Sequence, residues 1–540
     1  MEDISRDNQS IAKGFAILSI AGIMVKILSI FYTPVLKRII GEAGLGVYNS
    51  VYSVYTVLYV IANSGIPVAI SKNISELLAL GRYKDVVKSF KIARILLFII
   101  GLILSLFMFI FAAPLSKFFT NGKLEIELAL KALSPTILIT CILSSYRGYF
   151  QGRSNMKPTA ISQILEQIFN IVFSLGFAYI LFNKYGMEAG VAGATVGTTL
   201  GALIAVIILI LFYERNKKLR MVKESRHVIK SYSSNKLLRK IILYSIPVTL
   251  CVVMQNMGNL IDNKMVSMML PKIGMNDNII KSWLYQYNTL IGVPIVIISS
   301  LSAAVMPAIS GYAAVNDKKS LRKKTRYAYR LCLLVAIPSA VGLFSLAEPI
   351  CRLLGYSSGV VSLLRYGALN IIIMAIVQIQ VSIMQGIGRL NLVTIHCFIG
   401  LLGKLIADLI FIRIPSINVN GVLIANFIYF IAPLILNNMA IKKALRKKIK
   451  MGKRVARISL SSLVMGIGAF LVHYCIKFFL GMVLKNTYAV NLIGTGIAII
   501  LAVYIYVYLL ILTRSVTKED FDAFPKKALK LIPKFMLDGL

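Results

Sequence analysis

Five ionisable side chains stand inside stretches of this 540-residue chain that are otherwise almost free of charge: Lys26, Glu166, Asp262, Lys404 and Asp408. A charge at the middle of a bilayer costs at least about 2.5–3.5 kcal/mol, so such residues are candidates for binding, pairing or carrying something. Lys26 lies mid-run in GFAILSIAGIMVKILSIFYTP with no acidic residue within one turn. A cation there suits a pyrophosphate, gripped by charge-assisted hydrogen bonds. Glu166 has Gln163, Gln167 and Asn170 on neighbouring faces and suits uptake of a proton or Na+. Asp262 follows Gln255, Asn256 and Asn259, and reads either as interfacial or as part of the same charge network. Lys404 and Asp408, four apart in GKLIADL, meet on one helix face as a neutralising pair or as a cargo site. Arg147 and Arg153 mark the expected cytoplasmic end of the fourth apolar run, where an anionic headgroup would enter.

A second constellation is uncharged. The run 46–71 contains no Asp, Glu, Lys or Arg, yet carries Tyr48, Tyr52, Tyr55 and Tyr59. At about 100° per residue the four tyrosines share roughly 60° of arc, and Asn49, Ser53, Thr56 and Asn63 extend it. Val47, Val51, Val54, Val57, Leu58 and Ile61 form the opposite, aliphatic side, expected to face lipid. Polar groups facing hydrocarbon without partners cost several kcal/mol each. The tyrosine face therefore meets either neighbouring helices or a hydrated cavity whose aromatic planes, hydroxyls and amides suit a sugar-bearing headgroup.

The elements that must position these residues are membrane spans. Hydrophobic residues make up 58% of the chain and the mean hydropathy is +0.78. Apolar runs near the ~20 residues needed to cross a bilayer recur fourteen times between residues 14 and 513. The start of the chain, with Glu2, Asp3 and Asp7 against Arg6 and Lys13, is a poor signal peptide. With a cytoplasmic N-terminus and alternating spans, 44 of the 60 Lys and Arg fall inside and 14 outside; Lys26 and Lys404 lie within spans. Positive residues are retained on the cytoplasmic side, which predicts both termini there. The net charge of +39 then belongs to loops lying on anionic lipid headgroups, not to nucleic acid.

Three motifs recur in order: GIPVAIS (65–71) with VMPAIS (305–310), YFQGRSN (149–155) with IMQGIGRLN (383–391), and EAGVAGA (188–194) with VNGVLIA (419–425). The repeat unit holds six spans, an even number, so its copies share one orientation. This predicts an all-α membrane protein with lobes over 1–227 and 228–450, and two further spans in 451–540. The basic segment 214–240 links the lobes. Gly193, Gly197 and Gly201 form a smooth face for a neighbouring helix. Pro135, Pro247, Pro294 and Pro338 are expected to kink their spans.

KRIIGEAGLGVYNSVYSVYTVLYVIANSGIPVAISKNISE (37–76) resembles the stage V sporulation protein B and polysaccharide-biosynthesis exporter group. QGRSNMKPTAISQILEQ (151–167) is similar to the same group's segment after the fourth span. That group shares a superfamily with multidrug and toxin extruders and lipid II flippases. The resemblance implies two six-helix lobes around a cavity that opens alternately to either side. It also implies a lipid-linked oligosaccharide or peptidoglycan precursor as cargo, with the last two spans forming a groove for the lipid tail. Lipid II flippases place arginines in the first, second and eighth spans; this chain has only Lys26 in the first and no charge in the other two.

The expected function is a monomeric flippase of the cytoplasmic membrane, working on such a precursor among membrane lipids, in sporulation or in wall synthesis. The coupling ion is Na+ or H+, with no cofactor. A multidrug or cation antiporter is the alternative. An enzyme on lipid-linked sugars is disfavoured: His227, His396 and His473 are isolated, and neither DxD nor HExxH occurs. The six cysteines are scattered without a CxxC, so neither a metal site nor a disulfide framework is indicated.

Overall fold

The computed structural model describes residues 2–515 except 124, 216–231, 315, 447–451 and 485. Most of the basic linker and the C-terminal tail lie outside these residues. Within them the chain is helix and turn, with no strand. That agrees with the apolar runs, since a helix satisfies every backbone polar group within its own segment. The helices are α1 (Glu2–Asn63), α2 (Gly65–Ala79), α3 (Tyr83–Ile110), α4 (Ala112–Phe119), α5 (Glu127–Gly152), α6 (Lys157–Tyr185), α7 (Met187–Arg215) and α8 (Ser234–Met269). Next come α9 (Asp277–Ala314), α10 (Lys318–Ser345), α11 (Ala347–Leu353), α12 (Ser358–Gly367), α13 (Asn370–Gly386), α14 (Leu390–Phe411), α15 (Asn420–Leu445), α16 (Gly452–Val483) and α17 (Thr487–Leu512).

Twelve described helices are long and apolar enough to cross a membrane, or thirteen when α12 and α13, bent by 52°, count as one span. The apolar runs predict fourteen. The difference lies at the start, where Ile20–Leu78, most of α1 with α2, counts as a single candidate span of 59 residues. At 1.5 Å per residue it measures about 88 Å, far more than one bilayer thickness. It is broken at Gly41, whose φ of 76° and ψ of 174° no residue with a Cβ adopts cheaply. Helices continue through Pro135, Pro247, Pro294 and Pro338, and also through Pro34. Membrane helices tolerate proline because neighbours re-satisfy the freed carbonyls.

The described residues form two compact units. One comprises Met1–Tyr285 with Leu390–Ala425, the other Gln286–Arg389 with Asn426–Leu540. In the first, α6 and α7 form a tight hairpin along the small-residue face of α7. A Cβ at Gly193 would meet the Phe177 carbonyl, at Gly197 the Ser174 amide, and at Gly201 the Glu166 carbonyl. The glycine stripe therefore packs within the chain. In the second unit α10 packs on α13 and α16, and α16 on α17. Its contacts include Tyr506 Oη to the Leu334 carbonyl at 2.9 Å and Ser302 Oγ to Ser382 Oγ at 2.5 Å.

Two of the three repeated motifs meet in the same pairing in each unit. Gly152 of YFQG lies against Ser71 and Ile74, at the end of and just beyond GIPVAIS. Gly386 of IMQG lies against Met306 and Ile309 of VMPAIS. A motif pair that is local in neither copy, yet packs alike in both, is what an internal repeat produces.

Candidate functional site

The tyrosine face of α1 becomes a ladder of rings in the first unit. Centroid separations are 4.4 Å from Tyr48 to Tyr52, 5.8 Å from Tyr52 to Tyr55 and 5.6 Å from Tyr55 to Tyr59. Tyr285 closes edge-on over Tyr48 at 5.6 Å. The Tyr48 hydroxyl lies 3.2 Å from that of Tyr32, and Tyr52 bonds Thr198 on α7. Asn49 donates to Asn263 Oδ1 at 3.2 Å and to the Lys281 carbonyl at 2.9 Å.

Accessibility changes along the ladder. Tyr48 and Asn49 are buried, whereas Tyr52, Thr56, Tyr59 and Asn63 alternate with buried Ser53 and Tyr55 and keep part of their surface. The face is thus packed at its Tyr48 end and more open toward Asn63. The aliphatic side does not face lipid as expected. Val47 and Val51 are fully buried, Val54 is buried, and of this set only Ile61 is exposed. The reason is coverage: α5, α6, α7 and α8 all pack on α1, which leaves little of its girth for lipid.

Asn63 begins a polar string toward the other end of the helices. Its Oδ1 accepts from Ser144 Oγ at 2.5 Å, and its amide reaches Thr140 at 3.3 Å. One turn beyond Ser144 on α5, Arg147 Nη2 meets Glu166 Oε2 at 2.6 Å, and its Nε and Nη2 lie 3.3 and 3.2 Å from Ser162 Oγ. The string continues along α6. Gln167 approaches Ser29 at 3.4 Å, and Asn170 accepts from Ser174 at 2.9 Å and from Thr198 at 3.3 Å. Arg153 is held apart from this string, bonding its own helix at Tyr149 Oη, 3.0 Å away.

Lys26, half-buried, makes no hydrogen bond or ion pair with another described residue; Glu166 is engaged with Arg147 instead. Asp262 is buried. It lies 2.5 Å from Lys404 Nζ, and Lys404 lies 3.4 Å from Asp408. Two carboxylates and one ammonium thus form a buried triad between α8 and α14. Spacing shows the Lys404–Asp408 half, but the partner from α8 is 142 residues away and leaves no local signal. Sequence reasoning also misses the Arg147–Glu166 pair, although opposite charges at the facing ends of consecutive spans, 19 residues apart, could suggest it. Among the described residues no group of His, Cys, Asp and Glu is placed to hold a metal ion.

Comparison with known proteins agrees with the helical architecture. The chain is 27% identical to stage V sporulation protein B of Bacillus subtilis, covering 96% of this chain and 98% of that one. It is 23% identical to lipid II flippase MurJ of the same organism, over 92% and 95% of the two chains. A structure of MurJ in an inward closed conformation superposes with a TM-score of 0.65 at 19% identity, over 92% of this chain and 98% of that one. An inward-facing multidrug resistance MATE transporter of the MOP superfamily gives 0.62 at 16% identity, over 79% and 99%. By name MurJ is a flippase and the MATE protein a transporter, neither of them an enzyme, and the fold of this chain is the multi-pass helical one that those two share. The family described as polysaccharide biosynthesis protein matches residues 11–313, and the chain belongs to it.

Proposed function

We propose that the protein moves a lipid-linked oligosaccharide or peptidoglycan precursor across the cytoplasmic membrane by alternating access. The observation that carries this reading is the polar string of the first unit. Stacked tyrosines, amides and hydroxyls suit the sugars, and Arg147 at the accessible end suits a phosphate-bearing headgroup. Lys26, with no partner of its own among the described residues, is a second cation for the same anion. The distribution of Lys and Arg supports a cytoplasmic position for both termini. The likeness to MurJ spans 92% of this chain, beyond the 79% shared with the MATE transporter, and this supports lipid-linked cargo.

Depletion of the protein should cause one undecaprenyl-linked precursor to accumulate on the inner leaflet, and re-expression should clear it. Inner-leaflet pools unchanged on depletion would defeat the reading. A second reading, a multidrug or cation antiporter, is favoured by the near-complete coverage of the MATE chain, at 99%. It requires that inverted vesicles take up a cationic dye in exchange for Na+ or H+.

A further inference from the structure

An arginine that grips an anionic headgroup leaves a bare cation behind when the cargo departs, and an unpaired charge in low dielectric is costly. This chain neutralises Arg147 itself, through Glu166 at 2.6 Å. The pair is not sealed in the core: 25% of the Glu166 side-chain surface and 13% of that of Arg147 remain accessible. The guanidinium is also not saturated, since Nε and Nη2 make its hydrogen bonds to described residues while Nη1 makes none. A phosphate approaching from the accessible side meets a donor already free and competes with Glu166 for the next.

We propose that Arg147 and Glu166 form an exchange switch. Glu166 occupies Arg147 while the site is empty, a diphosphate headgroup displaces it, and the released carboxylate takes up a monovalent cation. This rests on the lipid-linked cargo proposed above. The guanidinium fork fits carboxylate and phosphate alike, so the two anions are rivals for the same nitrogens. The groups around Glu166 decide the fate of the displaced carboxylate. From α5 it faces Arg147, the one cation paired with it among the described residues. From α1 its charge reaches Tyr55 and Tyr59. From its own helix comes Ser162, which is hydrogen-bonded to Arg147. Neutral hydroxyls cannot replace the lost guanidinium. A freed carboxylate there needs a counter-ion from solution, a proton or Na+, which ties cation uptake to cargo uptake.

The test titrates full-length protein in detergent micelles with undecaprenyl diphosphate, across mildly acidic to mildly basic pH, in choline buffer and again with Na+. Wild-type affinity should rise with acidity if the cation is a proton, or with Na+ if it is sodium. Glu166→Gln removes the rival anion; it should bind about tenfold tighter, lose any response to Na+, and keep only the pH response that the diphosphate's own titration gives, read from the Arg147→Gln with Glu166→Gln double variant. Arg147→Gln should weaken binding by at least about tenfold. The double variant Arg147→Gln with Glu166→Gln keeps a neutral hydrogen-bonding pair, so it should melt near wild type yet bind as weakly as Arg147→Gln alone. Glu166→Gln at wild-type affinity, or a wild type insensitive to both pH and Na+, would overturn the switch while leaving the cargo in place. Absence of binding in wild type and every variant would overturn both.

Discussion

Removing the charge from Lys404 takes one ammonium away from two buried carboxylates at once. The ammonium and the Asp408 side chain have no accessible surface, and Asp262 has 5%. Breaking a buried pair by deleting one partner costs about 3–5 kcal/mol, because the remaining charge stays desolvated. At about 1.4 kcal/mol per tenfold, Lys404→Met should lower the folded-to-unfolded ratio by roughly two to three and a half decades. Asp408→Asn is the contrast. Asp408 lies 3.4 Å from the ammonium and neither of its oxygens has a hydrogen-bond partner, so the 2.5 Å contact with Asp262 survives its loss. Its cost should stay below about 1 kcal/mol, since one ammonium then faces one carboxylate. Neutralising all three, as Asp262→Asn, Lys404→Met and Asp408→Asn, should recover most of what Lys404→Met loses. The assay is the monodisperse fraction remaining after a heat step, read by fluorescence-detected gel filtration in detergent. A Lys404→Met protein as heat-resistant as wild type would refute the reasoning, as would an Asp408→Asn protein equally damaged.

Two further outcomes test the packing of the first unit. Gly197→Ala, whose new methyl would meet the Ser174 amide, should cost about 1–3 kcal/mol. Gly176→Ala meets open space and should be neutral or gain up to about 1 kcal/mol, so equal melting temperatures would refute the close α6–α7 approach. Along the ladder, cysteines replacing Tyr59 and Asn63 should react with a hydrophilic maleimide in intact membranes, while those replacing Tyr48 and Val51 stay protected; uniform protection would show a dry helix contact throughout.

Hydrophobic runs make the membrane fold legible, because a bilayer leaves the backbone few options. Motif order exposes the repeat, and the small face of α7 can be read as a packing surface from spacing alone. Two features of the site are out of reach. The aliphatic side of α1 reads as lipid-facing on a helical wheel, which reports amphipathicity but not how many neighbours surround a helix. Asp262 shows its polarity but not its partner, because pairing between α8 and α14 is tertiary and leaves no periodic trace. Arg147 falls between the two. It reads as a gateway residue, and its fixed carboxylate emerges only once α5 and α6 are folded back to back.

The buried triad also sets an order of events during biogenesis. Lys404 and Asp408 share α14 and can offset each other as that segment leaves the translocon. Asp262 leaves 142 residues earlier, with its ammonium still unmade. At about 5–20 residues per second, ribosomes take roughly 7–28 s to cover that distance. For that interval α8 is a membrane segment whose Asp262 carboxylate lacks the Lys404 ammonium, visible to any quality-control protease that surveys half-built bundles. Arrival of α14 ends this exposure, so the triad doubles as a checkpoint that stays open until the eleventh expected span has been synthesised.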